Sequence, residues 1–189
     1  MSTARRVATY ADLLALPDNV IGEIIAGELH AMPRPRIRHA SAASQLGAEL
    51  VGAFGHKPGG PGGPGGWHIL FEPELHLGLD VLVPDLAGWR RETLPELPDE
   101  AFIDVAPDWV CEVLSRSTER HDRIRKMRVY ARERVGHVWL LSPELETLEV
   151  CALDGQRYAL AQAFDGDEPV RAEPFDAIEL DLAAVWGKR

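Results

Sequence analysis

Between Trp109 and Leu141 the chain sets two short apolar runs on either side of a helix-length segment, with almost nothing in between. Trp109-Val-Cys-Glu-Val-Leu114 is too short for a helix and too apolar for a loop, so it reads as a buried strand. Ser117 or Thr118 caps a helix that runs to about Arg134 and is stopped by Gly136. His137 to Leu141 is a second buried strand. A helix that follows its strand this directly folds its first turns back over the sheet. Any fold for the chain must contain this unit, and must also house the single charge inside the first strand.

That charge is Glu112. Two-residue alternation puts it on the same face as Val110 and Leu114. Burying an unpaired carboxylate costs several kcal/mol, so Glu112 needs a cation, a metal or a proton. A salt bridge to an arginine, or exposure at the strand end, would satisfy it without any chemistry. A second carboxylate, Asp85, ends the apolar run Val81-Leu-Val-Pro84; a turn-forming Pro-Asp dipeptide is its plainer reading. On the helix, Asp122, Lys126 and Tyr130 are spaced i, i+4, i+8 and share a stripe beside apolar Ile124, Met127 and Ala131. An exposed Asp–Lys pair of this kind is worth only ~0.3–0.5 kcal/mol. The return of the helix over its own strand nevertheless lets Lys126 reach the strand that bears Glu112. Only three of the 20 Lys+Arg residues are lysines, Lys57, Lys126 and Lys188. Lys126 stands among Arg120, Arg123, Arg125 and Arg128, which suits a position that needs a compact ammonium rather than a guanidinium fork.

Two carboxylates at adjacent strand ends, with one lysine, form a recognisable chemical unit. The carboxylates hold a hard divalent cation, Mg²⁺ by preference with Mn²⁺ as a substitute. The cation activates a water and offsets charge on phosphoryl oxygens, and the lysine stabilises the pentacoordinate transition state. This points to metal-assisted phosphodiester hydrolysis. Other chemistries have little support. His68 and His76 lack ligand spacing, Ser115 and Ser117 lack a nucleophile-elbow context, and the Pro-Gly repeats lack the Gly-Lys-Ser/Thr ending of a phosphate loop.

The rest of the chain supplies a scaffold. Thr9 and Asp12 read as the cap of a short helix before Pro17. Two apolar runs flanking Ala26-Gly27 predict a tight hairpin over residues 21–32. Ala40, Ala43, Leu46, Leu50, Ala53 and Phe54 predict a long helix over 38–56. Pro58 to Gly66 repeats Pro-Gly-Gly and is expected to be a flexible surface loop. Strands are expected at 67–71 and 79–89, the second kinked by Pro84, with 90–108 a loop holding at most one helical turn. The segment 144–186 alternates strands and turns, as a β-hairpin appendage ending in a helical turn near Trp186. The fold class is therefore α/β (α+β): a single domain over 1–189 with a mixed central sheet flanked by helices, an N-terminal hairpin and a β-rich tail.

The segments VPDLAGW (83–89), PDWVCEVLSRST (107–118), D-x3-K-x3-Y (122–130) and GHVWLLSPE (136–144) resemble the Uma-type restriction endonuclease family of the PD-(D/E)xK nuclease superfamily. GEIIAGELHAMP (22–33) and Arg38-His39 resemble it too, so the likeness runs in order from about residue 8 to 185. It implies a restriction-endonuclease-like core over about 38–141, with Asp85 and Glu112 as the metal-binding carboxylates. The superfamily lysine belongs two residues after that glutamate, where this chain has Leu114. Lys126, on the following helix, takes its place by the same resemblance. Glu23 is carried over as an auxiliary site residue, against a solvent-facing strand carboxylate. His39 is carried over as a phosphate contact, against a polar cap of the long helix. The family implies DNA as substrate and a homodimer, since cutting both strands is easiest with two sites.

A non-catalytic nucleic-acid-binding or protein-interaction module on the same fold is the alternative, and Leu114 and the acidic tail speak for it. A hydrolase acting on another phosphorylated substrate is a third reading. No apolar run approaches the ~20 residues of a membrane span. Met1 to Tyr10 carries Arg5 and Arg6 but no apolar region, so no secretory signal is expected. Cys111 and Cys151 form no CxxC and read as reduced core thiols of a cytoplasmic protein. The net charge of −10 argues at first against nucleic acid. It is unevenly spread, however: residues 116–134 hold eight Lys+Arg against three Asp+Glu. That basic helix is expected to be the phosphate-facing surface of an otherwise acidic chain.

Overall fold

A computed structural model of the chain describes residues 6–116 and 118–189. Ser117, one of the two expected helix caps, lies outside the described residues.

The helix α1 (Tyr10–Leu14) opens on a capping box, with the Thr9 N–H donating to Asp12 Oδ2 at 2.8 Å. The strands β1 (Val20–Ile25) and β2 (Glu28–Pro33) form the expected hairpin. Ala26 and Gly27, at φ 52° and 75°, make the two-residue turn whose twist matches the strands. The long helix α2 spans Ile37–Phe54. It lies close on the strand β3 (Trp67–Phe71): a Cβ at Gly47 would stand 2.1 Å from Phe71 Cζ, so a side chain there would have to displace the Phe71 ring. Between them Pro58–Gly66 crosses the surface and is tied back by the Gly65 N–H to the Ala53 carbonyl at 3.0 Å.

The expected strand 79–89 is in fact two strands in two sheets. β4 (Leu75–Leu77) and β5 (Asp80–Leu82) pair with the N-terminal hairpin in a four-stranded sheet of order β2-β1-β5-β4. β6 (Leu86–Arg90) belongs to a six-stranded sheet of order β10-β9-β8-β7-β6-β3. Pro84 has no N–H for a ladder, so pairing stops there and the chain changes sheets. Asp85 sits at that crossing.

In the six-stranded sheet, β7 (Trp109–Val113) and β8 (His137–Ser142) are parallel, and every other neighbouring pair is antiparallel. The sheet is therefore mixed, as the strand–helix–strand unit requires. β9 (Thr147–Asp154) and β10 (Arg157–Asp165) are the expected tail hairpin, and α5 (Leu182–Val185) is the final turn. The expected strands near 170 and 180 shrink to one bridge, Val170 to Leu180. Between β6 and β7 the described residues hold no helix.

The helical crossover departs from a plain α-helix. It consists of α3 (Glu119–His121), a π-helical turn (Asp122–Lys126) and α4 (Met127–Arg132). In the wide turn the Met127 N–H bonds the Asp122 carbonyl five residues back. Thr118 takes the N-cap position but makes no capping bond; its hydroxyl is 3.0 Å from that of Ser115. The helix ends before Gly136, because Arg134 already adopts the left-handed conformation at φ 66° and the Val135 N–H closes onto the Tyr130 carbonyl.

Each face of the large sheet carries a core. Trp109, Cys111 and Val113 of β7 pack toward α2 with Leu46, Leu50, Trp139 and Phe175. Val110 and Leu114 pack on the other face with Val129, Tyr130 and Leu82. The alternation read from the sequence is thus the one observed, and Glu112 belongs to the second face, beneath the π-helical turn.

Candidate active site

Glu112 and Lys126 are both buried, and Lys126 Nζ donates to Glu112 Oε2 at 2.8 Å. The hydroxyl of Tyr130, one α-helical turn beyond Lys126, donates to Glu112 Oε1 at 2.5 Å. Neither an arginine bridge nor strand-end exposure satisfies Glu112; the lysine of its own crossover helix does.

Glu23 is also at this point and fully buried. Alternation along β1 puts it on the face of Ile25, toward the helical crossover. Its Oε1 lies 3.0 Å from Lys126 Nζ and accepts the Val83 N–H at 2.8 Å. Its Oε2 accepts from His121 Nε2 at 2.9 Å. Glu23 is therefore no solvent-facing strand residue. Asp122, buried as well, stands 4.0 Å from Lys126 Nζ, and the Val83 carbonyl accepts from Nζ at 3.2 Å.

Asp85 bounds the cluster on its more open side. Its Oδ2 accepts the Val113 N–H, next to Glu112, at 2.7 Å. Its Oδ1 accepts from His39 Nε2 at 2.5 Å. Both side chains stay partly exposed, 17% for Asp85 and 14% for His39. His39 thus pairs with the carboxylate and does not cap α2.

The electrostatics follow from three buried carboxylates crowded around one ammonium, with Asp85 acting on them from the edge. Burial pushes the Glu112 carboxyl well above the ordinary range; Lys126 pulls it back, while Asp122, Asp85 and Glu23 push it further. Burial also raises Asp122, opposed by Lys126. For Glu23 burial acts upward too, but the Lys126 charge and the bonds from His121 and Val83 outweigh it and hold the group at about 2. Burial alone would lower Lys126, yet Glu112, Glu23 and Asp122 together raise it above an ordinary lysine. The surrounding carboxylates favour the charged form of Lys126. Its value is a fixed positive charge.

The cluster holds more carboxylates than cations, and each oxygen of Glu112 and Asp85 has a protein partner. Among the described residues no three His, Cys, Asp or Glu side chains make a ready metal cage. Mg²⁺ does not need one: it keeps several waters and takes one or two carboxylates. Asp85 and Glu112 carry oxygens of the hard type such an ion takes, and for Glu112 to bind one, Lys126 or Tyr130 would have to release an oxygen.

The structure brings Glu23, Asp85, Glu112 and Lys126 into one cluster. Sequence reasoning missed His121, although it sits beside Asp122. It also left Tyr130 without a role, although it shares the Asp122–Lys126 stripe. The basic helix is less phosphate-facing than its composition predicts. Arg123 is held by Glu149 and Glu119, Arg125 by Glu28, Arg132 by Asp80, and Arg116 by Glu144.

Residues 7–183 match a family model described as "Uma2: Putative restriction endonuclease". Among solved structures, the fold is similar to one described as a putative nuclease belonging to DUF820 from Anabaena variabilis ATCC 29413. The two share 19% identity, covering 95% of this chain and 98% of that one, with a TM-score of 0.75. No curated protein matches the chain.

Proposed function

The chain belongs to the Uma2 family, and from that premise we propose that it is a metal-dependent endonuclease that hydrolyses DNA phosphodiester bonds. The observation that carries the reading is the 2.8 Å contact between Lys126 and Glu112, with Asp85 bonded to the residue next along the strand. Asp85 and Glu112 are the carboxylates that would hold Mg²⁺, or Mn²⁺ in its place. Such an ion supplies Lewis acidity at the phosphoryl oxygens and makes a water more acidic.

The chain's own groups do the rest. Lys126 keeps a positive charge where negative charge grows on the phosphoryl group, in a dry site where that charge is felt strongly. Glu23 assists from behind, holding Lys126 and keeping it protonated. His39 orients Asp85, and Tyr130 orients Glu112. We further infer that the protein works as a homodimer in the cytoplasm, where Cys111 and Cys151, both free and buried, stay reduced. Among the described residues no helix is long and apolar enough to cross a membrane.

A non-catalytic nucleic-acid-binding or protein-interaction module is the second reading. Leu114, two residues after Glu112, is buried and apolar, and each oxygen of Glu112 and Asp85 already has a protein partner. The two readings separate on plasmid DNA with Mg²⁺ or Mn²⁺. The nuclease reading expects nicking by the native protein, none by Glu112→Gln, and calorimetric Mg²⁺ binding that Asp85→Asn abolishes. Equal nicking by native and Glu112→Gln proteins would remove it, and so would native protein that neither nicks nor binds the ion.

A further inference from the structure

The helical crossover has an outer face that the cluster does not use. Arg120, Ile124, Arg128 and Arg132 recur every fourth residue and line a cleft of about 890 Å³ against the β1–β2 hairpin. A second cleft of about 670 Å³ lies against the β9–β10 hairpin, is lined by Arg123, Arg134 and Arg157, and shares Ile124, Arg128 and Arg132 with the first. The helix is thus a basic ridge between two grooves. Arg132 is answered by Asp80 at 2.8 Å, and Arg125, in the first cleft, by Glu28 at 2.8 Å. Arg120 and Arg128 are exposed and, among the described residues, have no hydrogen bond or ion pair. Ile124, on the same stripe midway between them, is 44% exposed.

We propose that this ridge is a docking track for a nucleic-acid backbone, separate from the carboxylates that face the helix's inner side. The two unanswered guanidiniums lie eight residues apart along the crossover, so they are set for an extended polyanion rather than a single anion. The guanidinium fork matches phosphate oxygens, and Ile124 offers an apolar contact to the sugar between them. The track also abuts the buried cluster, because His121 lines the first cleft and donates to Glu23. The proposal rests on the nuclease reading only in taking nucleic acid, rather than another polyanion, as the ligand.

The test is binding of a short fluorescent DNA duplex across a salt series, in EDTA so that nothing is cut. Arg120→Gln combined with Arg128→Gln is compared with the native protein, and with Arg171→Gln on the tail as control. Losing two phosphate contacts lowers the slope of log affinity against log salt by about 2, and weakens low-salt binding roughly tenfold or more. Arg171→Gln leaves both unchanged. Both arginines are exposed and unpartnered, so the double variant melts with the native protein. An unchanged slope overturns the proposal, and so does polyglutamate that competes as well as unlabelled DNA. A lowered slope in a protein that never nicks plasmid keeps the track and removes the nuclease reading; nicking with an unchanged slope does the reverse.

Discussion

Replacing Lys126 by methionine tests whether the cluster is held together by one charge. The side chain is 3% exposed, and Glu112, Glu23 and Asp122 lie within 2.8, 3.0 and 4.0 Å of its ammonium. Methionine fills much of the same space, so the change removes the charge and leaves three buried carboxylates without it. Breaking a buried pair in this way costs about 3–5 kcal/mol. At about 2–4 °C per kcal/mol for a chain of this size, the melting temperature at neutral pH should fall by roughly 6–20 °C. The pH dependence carries a sign. In the native protein Glu23 is held at about 2, below its unfolded value, so its contribution is present above that unfolded value and lost as pH falls toward 2. In Lys126→Met the carboxylates lose the charge that pulls them down. Glu112 and Asp122, already above the ordinary range in the native protein, are pushed further up, and Glu23 loses the strongest pull holding it down. The carboxylates' contribution thus shifts toward acid and is lost as pH rises. The gap between the two proteins should therefore narrow as pH drops from neutral into the ordinary carboxylate range. Differential scanning calorimetry across that interval measures it. Equal melting at neutral pH, or a gap that widens in acid, would refute the reasoning.

Two further substitutions separate site from scaffold. Tyr130→Phe removes the 2.5 Å donor to Glu112 and leaves a buried carboxylate oxygen short of a partner, costing about 1–3 kcal/mol in denaturant unfolding. Plasmid nicking should fall in the same variant, because Glu112 loses its orientation. Phe175→Ala empties the centre of an aromatic cluster formed by Phe54, Trp67, Trp109 and Trp139 on the opposite face of the sheet. It should cost about 3–5 kcal/mol and leave nicking per folded molecule unchanged.

Much of the site was legible because its signals are local. The face of Glu112 follows from a two-residue period, which the strand backbone imposes wherever the strand lies. The reach of Lys126 follows from a helix that returns over its own strand. The departure at Leu114 was visible for the same reason: counting two residues along a strand needs no tertiary information. Asp85 was legible as a residue but not as a position. Its run reads as one kinked strand, whereas pairing sends the two halves into different sheets.

The remainder depends on which distant segments meet. Glu23 reaches Lys126 only because the N-terminal hairpin joins β5, through the single pair Ile24 and Val81. Periodicity within a hairpin cannot say which outside strand it will find. His39 reaches Asp85 across the packing of α2, and His121 reaches Glu23 from the helical crossover. The charge of the basic helix divides in the same way. Its composition is written in the chain, but the pairing of Arg123, Arg125 and Arg132 with acids from other elements is not. The sequence alone determined the strand–helix–strand unit, the face of its buried glutamate and the lysine within reach, because backbone geometry sets all three over a few residues. Tertiary structure alone decided which carboxylates share that lysine and which arginines remain unanswered, because burial and charge pairing are properties of segments brought together from far apart in the chain.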